Sequence, residues 1–365
     1  MPYKKLSLVD YNIIVGGFTR PLNRLLSQNK YSRIFILVDE NTGEHCLKAF
    51  TKDNFFLRRG KIRRVKIIHI KSGEINKNLL TCQQIWQQLL RYRADRKALF
   101  INLGGGVIGD MGGFVAATYK RGIDFIQIPT TLLAQVDASI GSKLGIDFQG
   151  IKNTIGCFSN PKMVCIDPVF LQTLPQKQLL NGFAEVIKHA LIANANYWQS
   201  LQIINKNTNL YTIDWQAIIW ESLVIKQNIV EQDPFEKGVR KVLNFGHTIG
   251  HAIETFSLLN DKKPLLHGEA VIVGIVSELF ISVKKLLFNE NKFQEILSFL
   301  KILYPKYQFQ KKHFPLILNY LKNDKKNEYQ KLNFTLLKDI GNPVFNQAIE
   351  QDLIEESLNF YRLYF

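Results

Sequence analysis

Apolar and polar positions divide the chain into two halves with different rhythms. In the first half, short, nearly continuous apolar runs at residues 11–15, 33–38, 65–70, 98–103, 125–128 and 163–168 alternate with helical patterns at 81–91 and 111–119. Apolar runs of strand length alternating with helices predict a parallel α/β sheet. From about Pro175 the apolar positions recur every three to four residues, predicting helices at 178–193, 215–232, 243–256, 269–288, 293–303 and 349–364. Residues 331–337 read as a short hairpin strand before Gly341-Asn342-Pro343. The predicted fold class is α/β: a parallel-sheet domain over residues 1–174, then a mainly α-helical domain over residues 175–365. A chain of 365 residues exceeds the size at which one core stops growing, which agrees with two domains.

Composition narrows the class. The chain is 46% hydrophobic, enough for sizeable cores. Its start lacks the apolar run of a signal peptide, and no stretch approaches the roughly 18 apolar residues of a membrane span. Cys46, Cys82, Cys157 and Cys165 lack paired metal or redox spacing and read as reduced thiols of a cytoplasmic protein. The net charge of +16 raises the question of nucleic acid. The densest basic stretch, residues 58–66, has no interleaved aromatics to stack on bases, so it reads as a solvated face. Neither a nucleic-acid nor a membrane partner is expected.

The apolar run at 98–103 leads straight into Gly104-Gly-Gly-Val-Ile-Gly-Asp110. Gly104, Gly106 and Gly109 satisfy G-x-G-x-x-G between a strand and a helix, where a pyrophosphate can approach backbone N–H groups. The acidic residue that usually follows about 20 positions later is missing, and Asp124 comes too soon. Asp39, with Asn41, is the better ribose candidate, because ligands gather at the carboxyl ends of such strands. Residues 136–147 and 150–156 hold Lys143 and Lys152 among glycines, hydroxyls and an asparagine. That mixture suits a phosphorylated, hydroxylated ligand; a surface loop is the plain alternative.

The helical half carries a histidine cluster. Of seven histidines, three fall within 21 positions: His247, His251 and His267. His247 and His251, four apart, share one face of a predicted helix, the spacing by which zinc proteases present two imidazoles. Thr248 stands where that motif needs glutamate, so the chain is not such a protease. Catalytic zinc takes about three protein ligands and keeps one position open. On spacing alone the two helix histidines are the candidate pair, with His267 close by and Glu185 as the completing carboxylate; Lys188 shares its helix face.

Taken together, residues 103–110, 129–133, 150–156, 184–188, 244–251 and 266–269 resemble the 3-dehydroquinate synthase family of sugar-phosphate cyclases, over about residues 11–341. The resemblance implies a Rossmann-like N-terminal domain, a helical metal-binding C-terminal domain and a homodimer. It implies conversion of 3-deoxy-D-arabino-heptulosonate 7-phosphate to 3-dehydroquinate and phosphate, with NAD+ required but not consumed and one divalent metal, Zn2+ or Co2+. A hydride leaves for NAD+, the ketone formed acidifies the neighbouring C–H, phosphate is eliminated, the hydride returns, and an intramolecular aldol reaction closes the ring. The family's metal ligands match Glu185, His247 and His267. His251 matches a residue that contacts substrate and moves protons. Asp137, Lys143, Lys152, Asn153, Lys188, Arg240 and Asn244 match the substrate pocket, of which Lys143, Lys188, Arg240 and Asn244 are expected to serve catalysis with His251. Lys325 or Lys326 joins this pocket, and Arg121 reaches the substrate phosphate of the neighbouring subunit. Expected cofactor contacts are Asp39, Asn41, Ser72, Gly73, Glu74, Ile75, Asn76, Lys77, Gly106, Val107, Ile108, Gly109, Asp110, Thr130, Thr131, Phe170, Leu171, Gln172 and Thr173, with Lys143 and Lys152 near both ligands.

The family's usual Gly-Gly-Lys is here Gly141-Ser142-Lys143, and the middle of residues 72–77 differs from the common form. Rival readings keep the fold and change the chemistry. A related cyclase would accept a sugar phosphate without the carboxylate, whereas Arg240 and Lys152 favour an acidic one. A metal-dependent alcohol dehydrogenase would release NADH. A basic nucleic-acid binder would show salt-sensitive affinity.

Overall fold

The structure is a computed structural model and describes residues 3–52, 65–149, 151–322 and 332–365. Most of the basic stretch 58–66, Gly150, Lys325 and Lys326 lie outside the described residues. The chain forms two compact units. One comprises Met1–Leu179 with Ile213–Gln227, the other Leu180–Thr212 with Asn228–Phe365.

The first unit holds β1 (Lys4–Ser7), β2 (Asn12–Val15), α1 (Thr19–Gln28), β3 (Ile34–Asp39), α2 (Glu40–His45), α3 (Leu47–Lys52) and β4 (Val65–Ile70). It continues with α4 (Leu79–Arg91), β5 (Leu99–Gly104), α5 (Gly106–Thr118), β6 (Asp124–Pro129), β7 (Lys143–Phe148), β8 (Ile151–Phe158) and β9 (Met163–Ile166). Seven strands make one sheet in the order β1-β2-β9-β6-β5-β3-β4. Every pairing is parallel except the antiparallel β1–β2 edge. From β3 the chain goes outward to β4 and then back to the other side of β3, to β5. That reversal is the topological switch point of a doubly wound sheet, where the strand ends part and a ligand crevice opens.

Alternation along the strands fills both faces of the sheet. Phe35, Leu37 and Phe100 pack with Ile85, Met111 and Phe114 on one side. Ile36, Val38, Leu99 and Ile101 pack with Leu22, Phe50 and Phe170 on the other. Helix α5 lies very close to the sheet. A Cβ built on Gly112 would stand 2.1 Å from Asn102 Oδ1, so only glycine fits. The stretch open between loop and ligand site is an antiparallel hairpin, β7–β8, with Ile146 opposite Ile155. Leu144 and Ile146 are the buried residues that anchor it to the core.

The second unit is mainly helical. Helix α6 (Gln176–Ala193) runs into it and is followed by α7 (Ala195–Leu201). Helix α8 (Trp215–Gln232) begins in the first unit and ends in the second. Then come α9 (His247–Asn260), α10 (His267–Leu286), α11 (Glu290–Leu303), α12 (Phe314–Lys322), the β10–β11 hairpin (Asn333–Asp339, Asn342–Ala348) and α13 (Gln351–Tyr364). Helix α9 starts four residues later than its periodicity predicts. Val239–Asn244 forms a 3-10 helix, and Gly246 takes φ +76°, a left-handed conformation that separates it from α9. Among the described residues no helix is long and apolar enough to cross a membrane.

Candidate active site

In the second unit, Glu185, His247 and His267 come from α6, α9 and α10. Helix α6 buries Glu185 completely. The left-handed Gly246 makes His247 the first residue of α9, and His267 is the first residue of α10. His247 Nε2 lies 3.3 Å from Glu185 Oε1, and His267 Nε2 lies 3.6 Å from the same oxygen. One ligand atom from each of the three residues fits within 4.8 Å of the others. Lys188, one turn on from Glu185 and 2% exposed, forms an ion pair with Glu185 Oε2. Neither Glu185 oxygen accepts a well-formed hydrogen bond. A buried carboxylate in that position is suited to a cation.

The electrostatics follow from this packing. Burial alone would raise the Glu185 pKa, but Lys188 and His247 outweigh it and hold the carboxyl well below its usual range. Burial, reinforced by Lys188, drives His247 down to about 3 against the pull of Glu185. Burial would also depress His267, but Glu254 and Glu185 raise it to about 10.

The spacing-based pair is also close. The His247 and His251 rings are 5.2 Å apart, and those of His251 and His267 are 6.0 Å apart. His251 forms a second compact group with Glu254 and His267. Arg240 is 4% exposed and donates through Nη1 to the Pro234 carbonyl at 2.6 Å. Asn244 donates to Glu236 Oε1 at 3.0 Å.

In the first unit, the glycine-rich turn lies at the switch point. Gly105 precedes α5 and provides no side-chain cap, which leaves the first-turn N–H groups for an anion. Gly104, Gly105, Gly106, Gly109, Asp110 and Gln127 line a pocket there. These features fit a pyrophosphate. Ile108 lies in the core, so only its backbone can face a ligand. Phe170 is likewise buried and stacks on Phe18 with ring centroids 6.3 Å apart; Gln172 and Thr173 beside it are exposed. Thr130 is buried, and Thr131 is partly open.

Asp39 stands at the end of β3 and caps α2. Its Oδ1 accepts from Thr42 N at 2.7 Å and from Thr42 Oγ1 at 2.9 Å. Asn41 is exposed on the same turn. Glu40 holds Ser72 through its backbone N at 2.8 Å and its hydroxyl at 3.0 Å. That pair fixes the segment holding Gly73 and the short 3-10 helix Glu74–Asn76, in which Ile75 is exposed. Lys77 is buried and bonded to Asp110 Oδ2 at 2.6 Å and Asn153 Oδ1 at 2.7 Å. Asn153 has φ +50° and donates its N–H to Asp147 at 2.8 Å. Lys77 thus ties α5 to the β7–β8 hairpin, which carries Lys143 and Lys152. Asp137 lies in a π-helical turn, Ala134–Ala138. Arg121 is exposed at φ +68°, next to Lys120 at +51° and Gly122 at +111°. Ser142 has φ +61°, a conformation in which glycine is favoured, and its hydroxyl bonds to Asn160.

Four polar residues emerge that sequence reasoning missed. Lys226, 5% exposed on α8, forms an ion pair with Asp137 Oδ1 at 2.7 Å. Asn181 Oδ1 accepts from Gly268 N at 2.6 Å. Glu278 accepts from Gly246 N at 2.6 Å and Ile249 N at 3.2 Å. Glu254 Oε2 lies 3.2 Å from His267 Nδ1. Lys226 and Glu278 left a trace in the sequence, each as a charged residue within the apolar pattern of its helix.

A family model described as 3-dehydroquinate synthase N-terminal matches residues 67–181, and one described as 3-dehydroquinate synthase C-terminal matches residues 182–327. The chain is 43% identical over 350 residues to a 3-dehydroquinate synthase of Parabacteroides distasonis, covering 96% of this chain and 97% of that one. It is 39% identical over 320 residues to a 3-dehydroquinate synthase of Acetivibrio thermocellus, covering 87% and 86%. A solved 2-deoxy-scyllo-inosose synthase, complexed with carbaglucose-6-phosphate, NAD+ and Co2+, matches with TM-score 0.84 at 24% identity over 99% of each chain. A 2-epi-5-epi-valiolone synthase of Streptomyces hygroscopicus subsp. jinggangensis 5008, with NAD+ and Zn2+ bound, matches with TM-score 0.83 at 23% identity over 99% of each chain. At those identities the two structures establish a shared fold.

Proposed function

The chain belongs to the 3-dehydroquinate synthase family, and on that premise we propose that it converts 3-deoxy-D-arabino-heptulosonate 7-phosphate to 3-dehydroquinate and phosphate, as a carbon–oxygen lyase. The observation that carries this reading is the trio Glu185, His247 and His267, with ligand atoms within 4.8 Å and Lys188 against the carboxylate. Two imidazoles and a carboxylate suit zinc or cobalt and leave room in the coordination sphere for substrate.

When bound, NAD+ supplies a reversible hydride acceptor, and the divalent metal polarises a substrate oxygen. The chain's own residues do the rest. The glycine-rich turn and the bare N-terminus of α5 receive the pyrophosphate. Asp39, Asn41 and residues 72–77 border the cofactor, along with Thr130, Thr131 and the exposed part of 170–173. Lys143, Lys152, Asn153 and Arg240 hold the anionic groups of the substrate; guanidinium suits carboxylate and phosphate geometry. Asn244 and Asp137 orient its hydroxyls. Lys188, beside Glu185, would hydrogen-bond the oxygen on the carbon that gives up its hydride. His251, beside the other two imidazoles, moves a proton, and its ring nitrogens can each accept or donate. Arg121 serves the phosphate across a homodimer. The setting is cytoplasmic, in keeping with four free thiols, three of them buried.

The test is phosphate release from 3-deoxy-D-arabino-heptulosonate 7-phosphate with NAD+ and Zn2+, with and without a chelator. Chelator-sensitive release with no net NADH supports the proposal. Net NADH would move the reading to a dehydrogenase. No release from folded, metal-loaded protein would move it to a cyclase for another sugar phosphate. His267→Ala should lose metal and activity together while the fold remains; full activity with metal retained would sink the ligand assignment.

A further inference from the structure

We propose that Glu254 is a positioning residue of the metal centre: its carboxylate takes the Nδ1–H of His267 and so aims the Nε2 lone pair at the point faced by Glu185 and His247. This rests on the reading of those three residues as ligands.

A neutral imidazole has one N–H and one bare nitrogen, and only the bare nitrogen binds a metal. The partner of the other nitrogen decides which is which. For His247 that partner is the backbone. Its Nδ1 lies 3.1 Å from the Phe245 carbonyl while Nε2 faces Glu185. The His247 side chain is also 11% exposed, so packing helps to fix it. His267 has neither advantage in the same degree. Its side chain is 27% exposed, and it stands at the first position of α10. Its Nδ1 lies 3.2 Å from Glu254 Oε2, and its Nε2 3.6 Å from Glu185 Oε1. An ionised carboxylate only accepts, so Glu254 places the proton on Nδ1 and leaves Nε2 bare. Glu254 lies two helical turns beyond His247 on α9. One helix therefore supplies a ligand and also orients the ligand of its neighbour. Carboxylate partners of this kind raise ligand basicity, and losing one costs about 10–100-fold in metal affinity.

A competing use of the same atoms is a second ion held by His251, Glu254 and His267, whose ligand atoms also fit within 4.8 Å. Stoichiometry separates the two.

The experiment uses full-length protein stripped with a chelator and titrated with Zn2+ against a chromophoric chelator, without substrate or NAD+. Wild type, Glu254→Ala and Glu254→Gln are compared, with the melting temperature of each metal-free protein recorded. We expect one ion per wild-type chain and at least tenfold weaker binding in Glu254→Ala. Glu254→Gln keeps an oxygen that accepts from Nδ1 but lacks the charge, so it should weaken binding at least threefold and less than alanine does. Metal-free melting temperatures should stay together, and the visible bands of the Co2+-loaded protein should shift most in Glu254→Ala. If alanine does not fold, the glutamine variant decides alone at the threefold mark. Smaller losses, equal losses in both variants, or two ions per wild-type chain would overturn the proposal. A wild type that binds no ion would overturn the metal reading itself, and this inference with it.

Discussion

Glu278 is the strongest structural lever on the site, because it holds the start of α9 from another helix. Gly246, the residue before α9, has no side chain to cap the helix. Glu278, fully buried on α10, accepts the Gly246 N–H at 2.6 Å and the Ile249 N–H at 3.2 Å. An anion at a helix N-terminus also opposes the positive end of the helix dipole. Each hydrogen bond to a charged group is worth about 1.5–3 kcal/mol. Glu278→Ala loses both and strands two N–H groups in a dry interior, for a local cost of about 3–6 kcal/mol. Glu278→Gln keeps one acceptor and points an amide NH2 at the other N–H, for about 2 kcal/mol.

The assay is hydrogen exchange of the amides of α9, which reads the opening of that helix alone. A loss of about 2 kcal/mol speeds exchange by roughly 30-fold. His247 is the first residue of the same helix, so Zn2+ affinity should weaken in Glu278→Gln as well. The opposite view is that a buried carboxylate is mainly a desolvation burden. It predicts that the isosteric amide leaves protection unchanged or improves it. Exchange in Glu278→Gln within a factor of two of wild type, or slower, would refute the capping argument.

Lys226→Met should lower turnover by at least tenfold while metal content stays at wild-type level, because Asp137 loses the buried ammonium at 2.7 Å that fixes it; unchanged turnover would remove Lys226 from the site. Asn153→Ala should cost the first unit about 1–3 kcal/mol in denaturant melts, since buried Lys77 loses an acceptor and alanine tolerates φ +50° poorly. The metal-free protein should be most stable near pH 6.5 as far as the trio controls it. His267, raised to about 10, gives stability that is fully present below pH 6.5 and lost as pH climbs toward 10. His247, lowered to about 3, resists a proton that the unfolded chain accepts, so stability also falls below pH 6.5. Melting temperatures of stripped protein across pH 4–10 test this, and a monotonic profile insensitive to His267→Gln would contradict it.

The α/β order was readable because burial leaves a local trace. Strands β3 and β5, covered on both faces, are nearly continuous apolar runs, and α8 lies where its 3.6-residue rhythm places it. Elements that bury less left less signal. Strand β8 alternates exposed and half-buried residues around Gly156, and so reads as loop. The start of α9 was misjudged because residues 243–246 continue the apolar rhythm while Gly246 breaks the helix with a positive φ. Periodicity reports which residues share a face, but a single backbone dihedral is invisible to it.

The site divides along the same line. The glycine-rich turn was legible because its chemistry lies in consecutive residues that also dictate their conformation. The metal trio was half legible. Spacing drew His247 and His251 together on α9, and the structure does bring all three histidine rings within about 6 Å of one another. What spacing could not tell is which imidazole faces Glu185, because that depends on how α6 meets α10. Asn181, one turn before Glu185, accepts the N–H of Gly268, the residue after His267, at 2.6 Å. A Cβ on Gly268 would stand 2.1 Å from the Asn181 carbonyl oxygen, so the two backbones can meet this closely only at glycine. That one contact brings Glu185 and His267 together although they are far apart in sequence. Asn181 and Glu278 each carry an ordinary polar side chain whose partner is a backbone N–H in another helix. Neither has a motif of its own, yet together they decide where the ligands stand. Substitutions at these two positions should therefore disturb metal binding without touching any ligand.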